Sequence, residues 1–375
     1  MKQLLLPIII IVTFFSCKKH SNTEDLEKTK IVTYKVSEID VEPLQNVLNT
    51  YFTEPTFVKL RSKDISTDFG KISKVKLQNQ YIYILDQGIK SLVVYDKEGY
   101  AVGKVGQKGQ GPNEYLDIAD FDIDKQGYIY ALDGRWDKLF IYDQNLNLVS
   151  NEKLPFEADK IQLLENGDYM FALSSWNKGN GEGYKIAITD KEFNLKNKVF
   201  KYDEFIDENY WISDYQLIRT NEYIIYNKSI DNHIHLFSLN GDYIKTILLD
   251  FGKENVQNQQ KKNIEKYIRD FDNYTLLKDF PIIYGDLIMG TLWEHRNSKI
   301  FLLDTKQNKM FKSGKITDSN NTFYTGFSDS ILISFIDPDF YRDHIDFSLL
   351  KPEIIEHLEK EEFVLTFRKI KTIKI

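Results

Sequence analysis

Short runs in which apolar and polar residues alternate extend along most of the chain, and this pattern favours β-strands. The runs also repeat. The segment YIYILD at residues 81–86 returns as YIYALD at residues 128–133, a shift of 47 positions. A second run, which ends in aspartate or asparagine, recurs at residues 93–96, 140–143, 187–190, 235–240 and 300–304. Each copy predicts two strands joined by a polar loop and followed by a tight turn.

Four short strands in every 40–50 residues are typical of one blade of a β-propeller. Residues 57–375 divide into six units of roughly 46 residues once two helical inserts, at about 253–278 and about 342–361, are set aside. The first insert carries apolar residues at helical spacing, namely Ile264, Tyr267, Ile268 and Phe271. Pro352 favours a helix start in the second. The sequence therefore predicts an all-β fold, a six-bladed β-propeller with short helical inserts.

A ring of blades has to close, because open strand edges invite aggregation. The last predicted strand, residues 363–368 (FVLTFR), is a candidate to pair with the early strand at residues 57–60 (FVKL). Strands from the two chain ends would then share one blade and close the ring.

The N-terminus has the features of an export signal. Residues 1–16 combine a basic start with an apolar run that is too short to span a bilayer. Ser16-Cys17 resembles the end of a bacterial lipobox, which predicts lipidation of Cys17, a flexible polar stalk over 17–30 and a lead segment over 31–56. The alternatives are an ordinary signal peptide and an uncleaved buried segment.

Composition narrows the possible functions. The net charge of −7 argues against nucleic acid or an anionic membrane surface as a partner. The chain lacks a Gly-x-Ser-x-Gly motif, and Cys17 is its only cysteine, so no catalytic residue and no cofactor are predicted. The Gly-rich segment 103–112 precedes a strand rather than a helix, which indicates a crossing between blades and not a phosphate loop.

With these features the chain resembles the six-bladed β-propeller lipoproteins of Bacteroidetes, which are related to NHL-repeat propellers. The resemblance rests on the strand ends at Asp86 and Asp133, on residues 109–115 (GQGPNEY) and on Cys17. It covers nearly the whole mature chain and implies the fold and an envelope location more strongly than any chemistry.

The resemblance also suggests a side of the envelope. In lipoproteins of this type, acidic residues directly after the cysteine favour surface export. Here residues 18–20 (KKH) come first and Glu24 and Asp25 only later. We therefore expect the periplasmic side rather than the cell surface.

The loops that carry tryptophan are the best signal of a binding site. Three Trp residues follow the second strand of their repeats, and those loops surround one mouth of a propeller channel. Trp with basic, amide and imidazole groups is typical of a binding face. The predicted binding residues are Arg135, Trp136, Trp176, Asn177, Trp211, His233, Trp293 and His295. The alternative is that these Trp side chains cap the blade cores.

Histidine raises the question of a metal. Asp231, His233 and His235 lie close in sequence, and two His with a carboxylate are able to bind zinc. Without a CxxC or HExxH motif, satisfied polar side chains are the favoured interpretation, and no metal is predicted.

These observations predict a monomeric propeller that is attached to the membrane only through its lipid anchor. On its Trp-bearing face it would bind a small molecule, a glycan or a protein, without catalysis. An envelope lyase or hydrolase that uses the central channel is one alternative, and it requires converging polar groups with shifted pKa values at the channel mouth. A structural scaffold of a surface complex is the other.

Overall fold

The computed structural model describes residues 30–62, 72–202, 215, 217–227, 232–261, 273–295, 297–314, 325–339 and 350–371. Cys17, Trp211, Asp231 and the apolar stripe of the first insert lie outside the described residues. Among the helices within them, none is long and apolar enough to span a membrane.

Twenty-six strands make up most of the described chain. The lead segment contains β1 (Ile31–Lys35) and β2 (Val41–Pro43). The next strand, β3 (Thr56–Lys59), belongs to blade six. Blade one comprises β4 (Ile72–Gln78), β5 (Tyr81–Asp86), β6 (Ser91–Asp96) and β7 (Ala101–Lys104). Blades two and three comprise β8 (Ile118–Ile123), β9 (Ile129–Asp133), β10 (Lys138–Tyr142), β11 (Leu148–Lys153), β12 (Ala158–Leu163), β13 (Tyr169–Leu173), β14 (Tyr184–Thr189) and β15 (Leu195–Lys201).

Blades four to six complete the ring. They comprise β16 (Leu217–Arg219), β17 (Ile224–Tyr226), β18 (His233–Phe237), β19 (Tyr243–Asp250), β20 (Thr275–Tyr284), β21 (Leu287–Glu294), β22 (Asn297–Asp304), β23 (Lys309–Lys312), β24 (Gly326–Ser328), β25 (Ile331–Ile336) and β26 (Val364–Lys369). The short helices are α1 (Leu48–Tyr51), α2 (Asn258–Lys261) and α3 (Pro352–Leu358), with 3-10 turns at Val36–Glu38, Leu44–Asn46 and Gly252–Glu254.

Each blade contains four antiparallel strands in sequence order, except at the closure, and two blades gain a fifth strand from the lead segment. The sixth blade has the order β24-β25-β26-β3, and Leu365 of β26 lies opposite Val58 of β3. Strands from the two ends of the chain therefore share one blade. The predicted six-bladed propeller and the predicted closure are both confirmed.

The lead segment belongs to the propeller instead of preceding it. Strand β1 pairs in parallel with β19, and β2 pairs in parallel with β23, so blades four and five each have five strands. Parallel pairing has no local turn that a sequence would reveal, which is why the lead was predicted only as a separate segment. Its effect is to cover two outer edges that would otherwise be open to solvent.

The predicted inserts need new boundaries. The first ends before Thr275 and not at 278, because Thr275, Leu276 and Leu277 pair with β21. Its described part is short and contains only α2 and a 3-10 turn. In the second insert, α3 begins at Pro352 as predicted, and Ile354 and Leu358 pack in a small cluster with Val364 of β26.

Apolar side chains fill the spaces between neighbouring blades. Phe121, Phe140 and Tyr142 of blade two, for example, pack with Tyr83 and Val94 of blade one. The first strand of each blade lies innermost, so β4, β8, β12, β16, β20 and β24 surround the central channel. In the described part of the chain, the walls of the channel are therefore these six strands and the turns that follow them.

Candidate functional site

Antiparallel order assigns every loop to one of two faces of the ring. The turns between second and third strands share a face with the crossings between blades. The turns between first and second strands, and between third and fourth, lie on the other. Trp136 and Trp176 both follow second strands, so we call their face the Trp-bearing face and the other the opposite face.

Trp136 lies in the turn between β9 and β10, as predicted. The carboxylate of Asp133, which is fully buried, accepts hydrogen bonds from the backbone N–H of Arg135 at 2.8 Å and of Trp136 at 3.0 Å. The ammonium of Lys138 lies 4.9 Å from the centre of the Trp136 ring, a cation–π contact. The Leu-Asp strand end thus fixes the turn that presents this indole, which is half-buried.

A shallow cavity of about 380 Å³ adjoins this indole. It is lined by Gln110, Gly111, Pro112, Trp136, Lys138 and Lys153. The first three belong to the crossing between β7 and β8, where the Gly111 N–H donates to Glu114 at 2.8 Å. The Gly-rich segment is therefore an inter-blade crossing, as predicted, and it forms one wall of a groove on the Trp-bearing face.

Trp176 is the most exposed large apolar side chain of the described residues, at 63%. It lies in the loop between β13 and β14, beside Asn177, which is buried. The Asn177 side-chain oxygen accepts from the N–H of Glu157 at 3.0 Å and of Gly179 at 2.9 Å, and its amide donates to the Asn180 carbonyl at 3.1 Å. Asn177 thus holds the loop against the crossing between β11 and β12, and the indole points into solvent from a fixed base.

Trp293 differs from its expected position. It lies within β21, paired with Ser298 of β22, and not in the turn after the strand. The hairpin turn is so tight that Glu294 and Asn297 still pair, which keeps Trp293 in the sheet and half-buried. His295 is exposed in the turn itself and adopts a positive φ of 48°.

Glu294 anchors the base of this hairpin. Its carboxylate is buried, with ion pairs to Lys299 and, at 2.6 Å, to Lys312. Burial acts to raise the pKa of Glu294, but the two ammonium groups outweigh it and hold the pKa below its ordinary value. The carboxylate therefore stays ionised and fixes the end of the hairpin that carries His295.

The two histidines of β18 stack on each other. The ring centres of His233 and His235 lie 5.8 Å apart, and Phe200 lies 4.1 Å from His235. The His235 Nδ1 bonds to Thr246 Oγ1 at 2.8 Å. Burial lowers the pKa of His235 well below its ordinary value, and His233 and Lys185 lower it further. His235 is therefore a neutral packed residue, and His233 is half-buried at the edge of the Trp-bearing face.

A metal site is not found in the part of the chain that the structure describes. None of its His, Cys, Asp and Glu residues form a group of three or more that could hold an ion. Asp231, which the sequence placed beside His233 and His235, lies outside that part.

A large cavity lies at the mouth of the channel on the opposite face, and none of the predicted binding residues that the structure describes lines it. It has a volume of about 560 Å³, and its walls are the ends of the inner strands and the turns after them. The channel narrows below it. The Val75 N–H of β4 donates to the Thr325 carbonyl at 2.8 Å, and β16 and β24, which belong to non-adjacent blades, have Cα atoms within 8 Å.

Charged side chains connect the inner strands around this cavity. Lys74 pairs with Asp120 at 2.8 Å, and Lys76 pairs with Asp122, so both ion pairs join blade one to blade two. Asp122 also accepts from the Leu163 N–H of blade three at 2.7 Å. Arg219 of blade four in turn donates to the Leu163 carbonyl at 3.1 Å. The network thus runs through four successive blades.

A signal for this network was present in the sequence. Lys74 and Asp120 are separated by 46 positions, and so are Lys76 and Asp122, which is nearly the blade repeat. Opposite charges at the same positions of successive repeats could have been read as cross-blade ion pairs. Gln162 and Arg219 have no comparable pattern.

Six radial sheets around a channel, with a Trp-bearing face and a charged cavity at the other mouth, define a six-bladed β-propeller. The chain belongs to a family that is described as a domain of unknown function, DUF4934, whose model matches residues 35–374. No curated protein matches the chain.

Several solved structures are similar. A Bacteroides fragilis protein that was assigned as exported has a TM-score of 0.72 at 18% identity, covering 91% of this chain and 100% of its own. A DUF4221 family member from Bacteroides vulgatus scores 0.49 at 11% identity and covers 86% and 98%. Virginiamycin B lyase from Staphylococcus aureus scores 0.43 at 11% identity and covers 76% and 81%. The first likeness shows the fold. Together with the family match, the first confirms the resemblance to six-bladed propellers of Bacteroidetes.

Proposed function

We propose that this protein is a lipid-anchored propeller of the bacterial envelope, on the periplasmic side, that binds a glycan, small molecule or protein on its Trp-bearing face and has no catalysis of its own. The observation that carries the proposal is the exposed indole of Trp176 on a loop whose backbone is held by the side chain of the buried Asn177. A rigid exposed aromatic loses little conformational entropy when it binds.

The surroundings of the other predicted residues support an extended binding face rather than a single contact at Trp176. Arg135 is exposed beside Trp136, and the groove next to that indole contains two lysines. His295 is exposed on the hairpin that Glu294 holds. Indoles suit stacking on a sugar ring or filling an apolar pocket of a protein, and the cations add specificity.

Photo-crosslinking tests the face directly. A benzophenone amino acid at position 176 should form a crosslinked product in living cells, while the same group at position 149 should not. Val149 is a matched control, since it is 57% exposed but lies on the outer strand β11. Mass spectrometry of the product distinguishes a glycan from a protein. Equal products at both positions, or none at 176, would contradict the proposal.

Once the product is identified, Trp176→Ala should weaken its binding by roughly 30-fold, as expected for an interface hot spot. The free energy of unfolding should change by less than about 0.5 kcal/mol, because a surface side chain contacts little of the core. Calorimetric titration and urea unfolding measure the two quantities. A variant that binds normally, or that loses several kcal/mol of stability, would show that Trp176 is not a contact residue.

The anchor is tested by localisation. If Cys17 carries lipid, Cys17→Ala should move the protein from the membrane fraction to the soluble envelope fraction, because the variant lacks the acyl chains that hold it at the membrane. Cys17→Ser serves as a second variant that removes the thioether but keeps the size of the side chain. A protein that remains in the membrane fraction with either variant is held there by something other than the lipid.

The enzyme alternative has one observation in its favour, the charged cavity on the opposite face. Asp122, the carboxylate between the inner strands, is poorly suited to act as a base, however. Asp122 accepts four hydrogen bonds, from Lys76, Ile123, Gln162 and Leu163. All its lone-pair sites are occupied, so we rank the enzyme second.

A further inference from the structure

The cavity on the opposite face has two chemically different walls. Ile218, Phe280 and Phe327, from blades four, five and six, contribute an apolar wall. Lys76, Asp122 and Arg219 contribute a charged one. A volume of about 560 Å³ lies within the range of small-molecule sites. A ligand that fits both walls must have an apolar body and a polar end.

The hydrogen bonds that the charged wall already makes indicate which polar group a ligand should carry. Asp122 has no lone pair left, and Gln162 donates its amide hydrogens to Asp122 at 2.5 Å and to the Leu163 carbonyl at 3.2 Å. Lys76 bonds to Asp122 alone among the described residues, although an ammonium has three N–H groups. Arg219 uses one terminal nitrogen on Leu163 and the other on Glu165 at 2.9 Å, and it has five N–H groups. The other carboxylates of the cavity are already bonded or exposed: Asp124 accepts from the N–H groups of Gln126 and Tyr128, Asp168 pairs with Lys196, and Asp329 is exposed. Between Lys76 and Arg219 the charged wall therefore offers donors and needs an acceptor.

The charges around Lys76 also favour a ligand that accepts hydrogen bonds. Burial lowers the pKa of Lys76, and Lys74 and Arg219 lower it further, against the opposing attraction of Asp122. An anion placed between Lys76 and Arg219 would reduce the repulsion between the two cations. Glu165, the remaining acidic partner of Arg219, is exposed at the rim, where water screens its charge.

We propose that this cavity binds an organic monocarboxylate with an apolar body. The carboxylate accepts hydrogen bonds from Lys76 and Arg219, and the body lies against Ile218, Phe280 and Phe327. The site is independent of the Trp-bearing face, since it opens on the other side of the ring.

The probe is 4-phenylbutyrate, with 4-phenylbutan-1-ol as an uncharged partner of nearly the same shape, titrated calorimetrically into the full chain. The acid should bind at least about tenfold more tightly than the alcohol, a difference of about 1.4 kcal/mol. Equal affinity of the two compounds, or no heat from the acid up to millimolar concentration, would overturn the proposal.

Three variants locate the site. Arg219→Gln should weaken binding of the acid by about tenfold, while Glu165→Gln, which removes the negative charge that competes for the guanidinium, should strengthen it. Lys125→Gln is the matched control, because Lys125 lies at the same mouth of the channel but is 79% exposed. The affinity of this variant for the acid should stay within about twofold of the wild-type value. Arg219 is partly exposed, so its variant should fold.

An unchanged affinity in Arg219→Gln, or equal losses in Arg219→Gln and Lys125→Gln, would refute a specific carboxylate site. Trp176→Ala should leave this affinity unchanged.

Discussion

A chain that ends at Glu362 should fail to fold cooperatively. The deletion removes β26, which pairs with β25 on one side and β3 on the other, together with the buried side chains of Val364 and Leu365. Two strand edges and the core between blades six and one would then be exposed. The loss should exceed the entire stability of a typical domain, about 5–15 kcal/mol. Urea unfolding followed by circular dichroism and fluorescence measures it.

Single substitutions separate the loss of the strand from the loss of chain length. Leu365→Asp places a charge in the core between blades and should unfold the protein, whereas Lys369→Asp, on the same strand but exposed, should cost less than about 1 kcal/mol. If the truncated chain unfolds at the same urea concentration and with the same slope as the full chain, the ring does not depend on β26.

The parts of the fold that could be predicted are those with a local or repeated signal. The 47-residue repeat indicated the blades because each copy carries its own strands and turns. The Leu-Asp strand end was recognised only as a motif, and the structure supplies its reason, since Asp133 caps the turn that presents Trp136. The closure could be predicted because the last strand needs a partner, and in the structure Leu365 of β26 pairs with Val58 of β3.

The parts that could not be predicted depend on partners distant in sequence. Strand β1 pairs with β19, more than two hundred positions away, without a turn to link them. Trp293 was assigned to a loop because the length of the hairpin turn could not be read from the residues. The predicted face was built from surface aromatics, while the cavity of Lys76 and Arg219 is formed by charged positions on inner strands. Of these, only Lys76 and Asp122 carry a repeat spacing, and Arg219 resembles an ordinary strand residue.

The charged network leads to the second large effect. Asp122→Ala should cost about 3–5 kcal/mol of unfolding free energy, because it leaves the ammonium of Lys76 without its carboxylate in a largely buried position. It also removes the acceptor of the Ile123 and Leu163 N–H groups. Asp143→Ala is the matched control, since this aspartate also accepts backbone hydrogen bonds but lies in an exposed turn, and it should cost less than about 1 kcal/mol.

The same effect should depend on pH. Burial acts to raise the pKa of Asp122, but Lys76, Lys74 and the Leu163 N–H together hold it below its ordinary value. A carboxyl with a lowered folded-state pKa stabilises the protein fully above its unfolded pKa of about 4, and this stabilisation is lost as the pH falls through the folded value. The stability difference between wild type and Asp122→Ala should therefore be largest near pH 6 and shrink toward pH 3 and below. Other carboxylates with lowered pKa values, such as Glu294, titrate in both proteins and cancel in the difference. Urea unfolding of both proteins across this range measures it, and a difference that does not change with pH would mean that Asp122 ionises equally in the folded and unfolded chains.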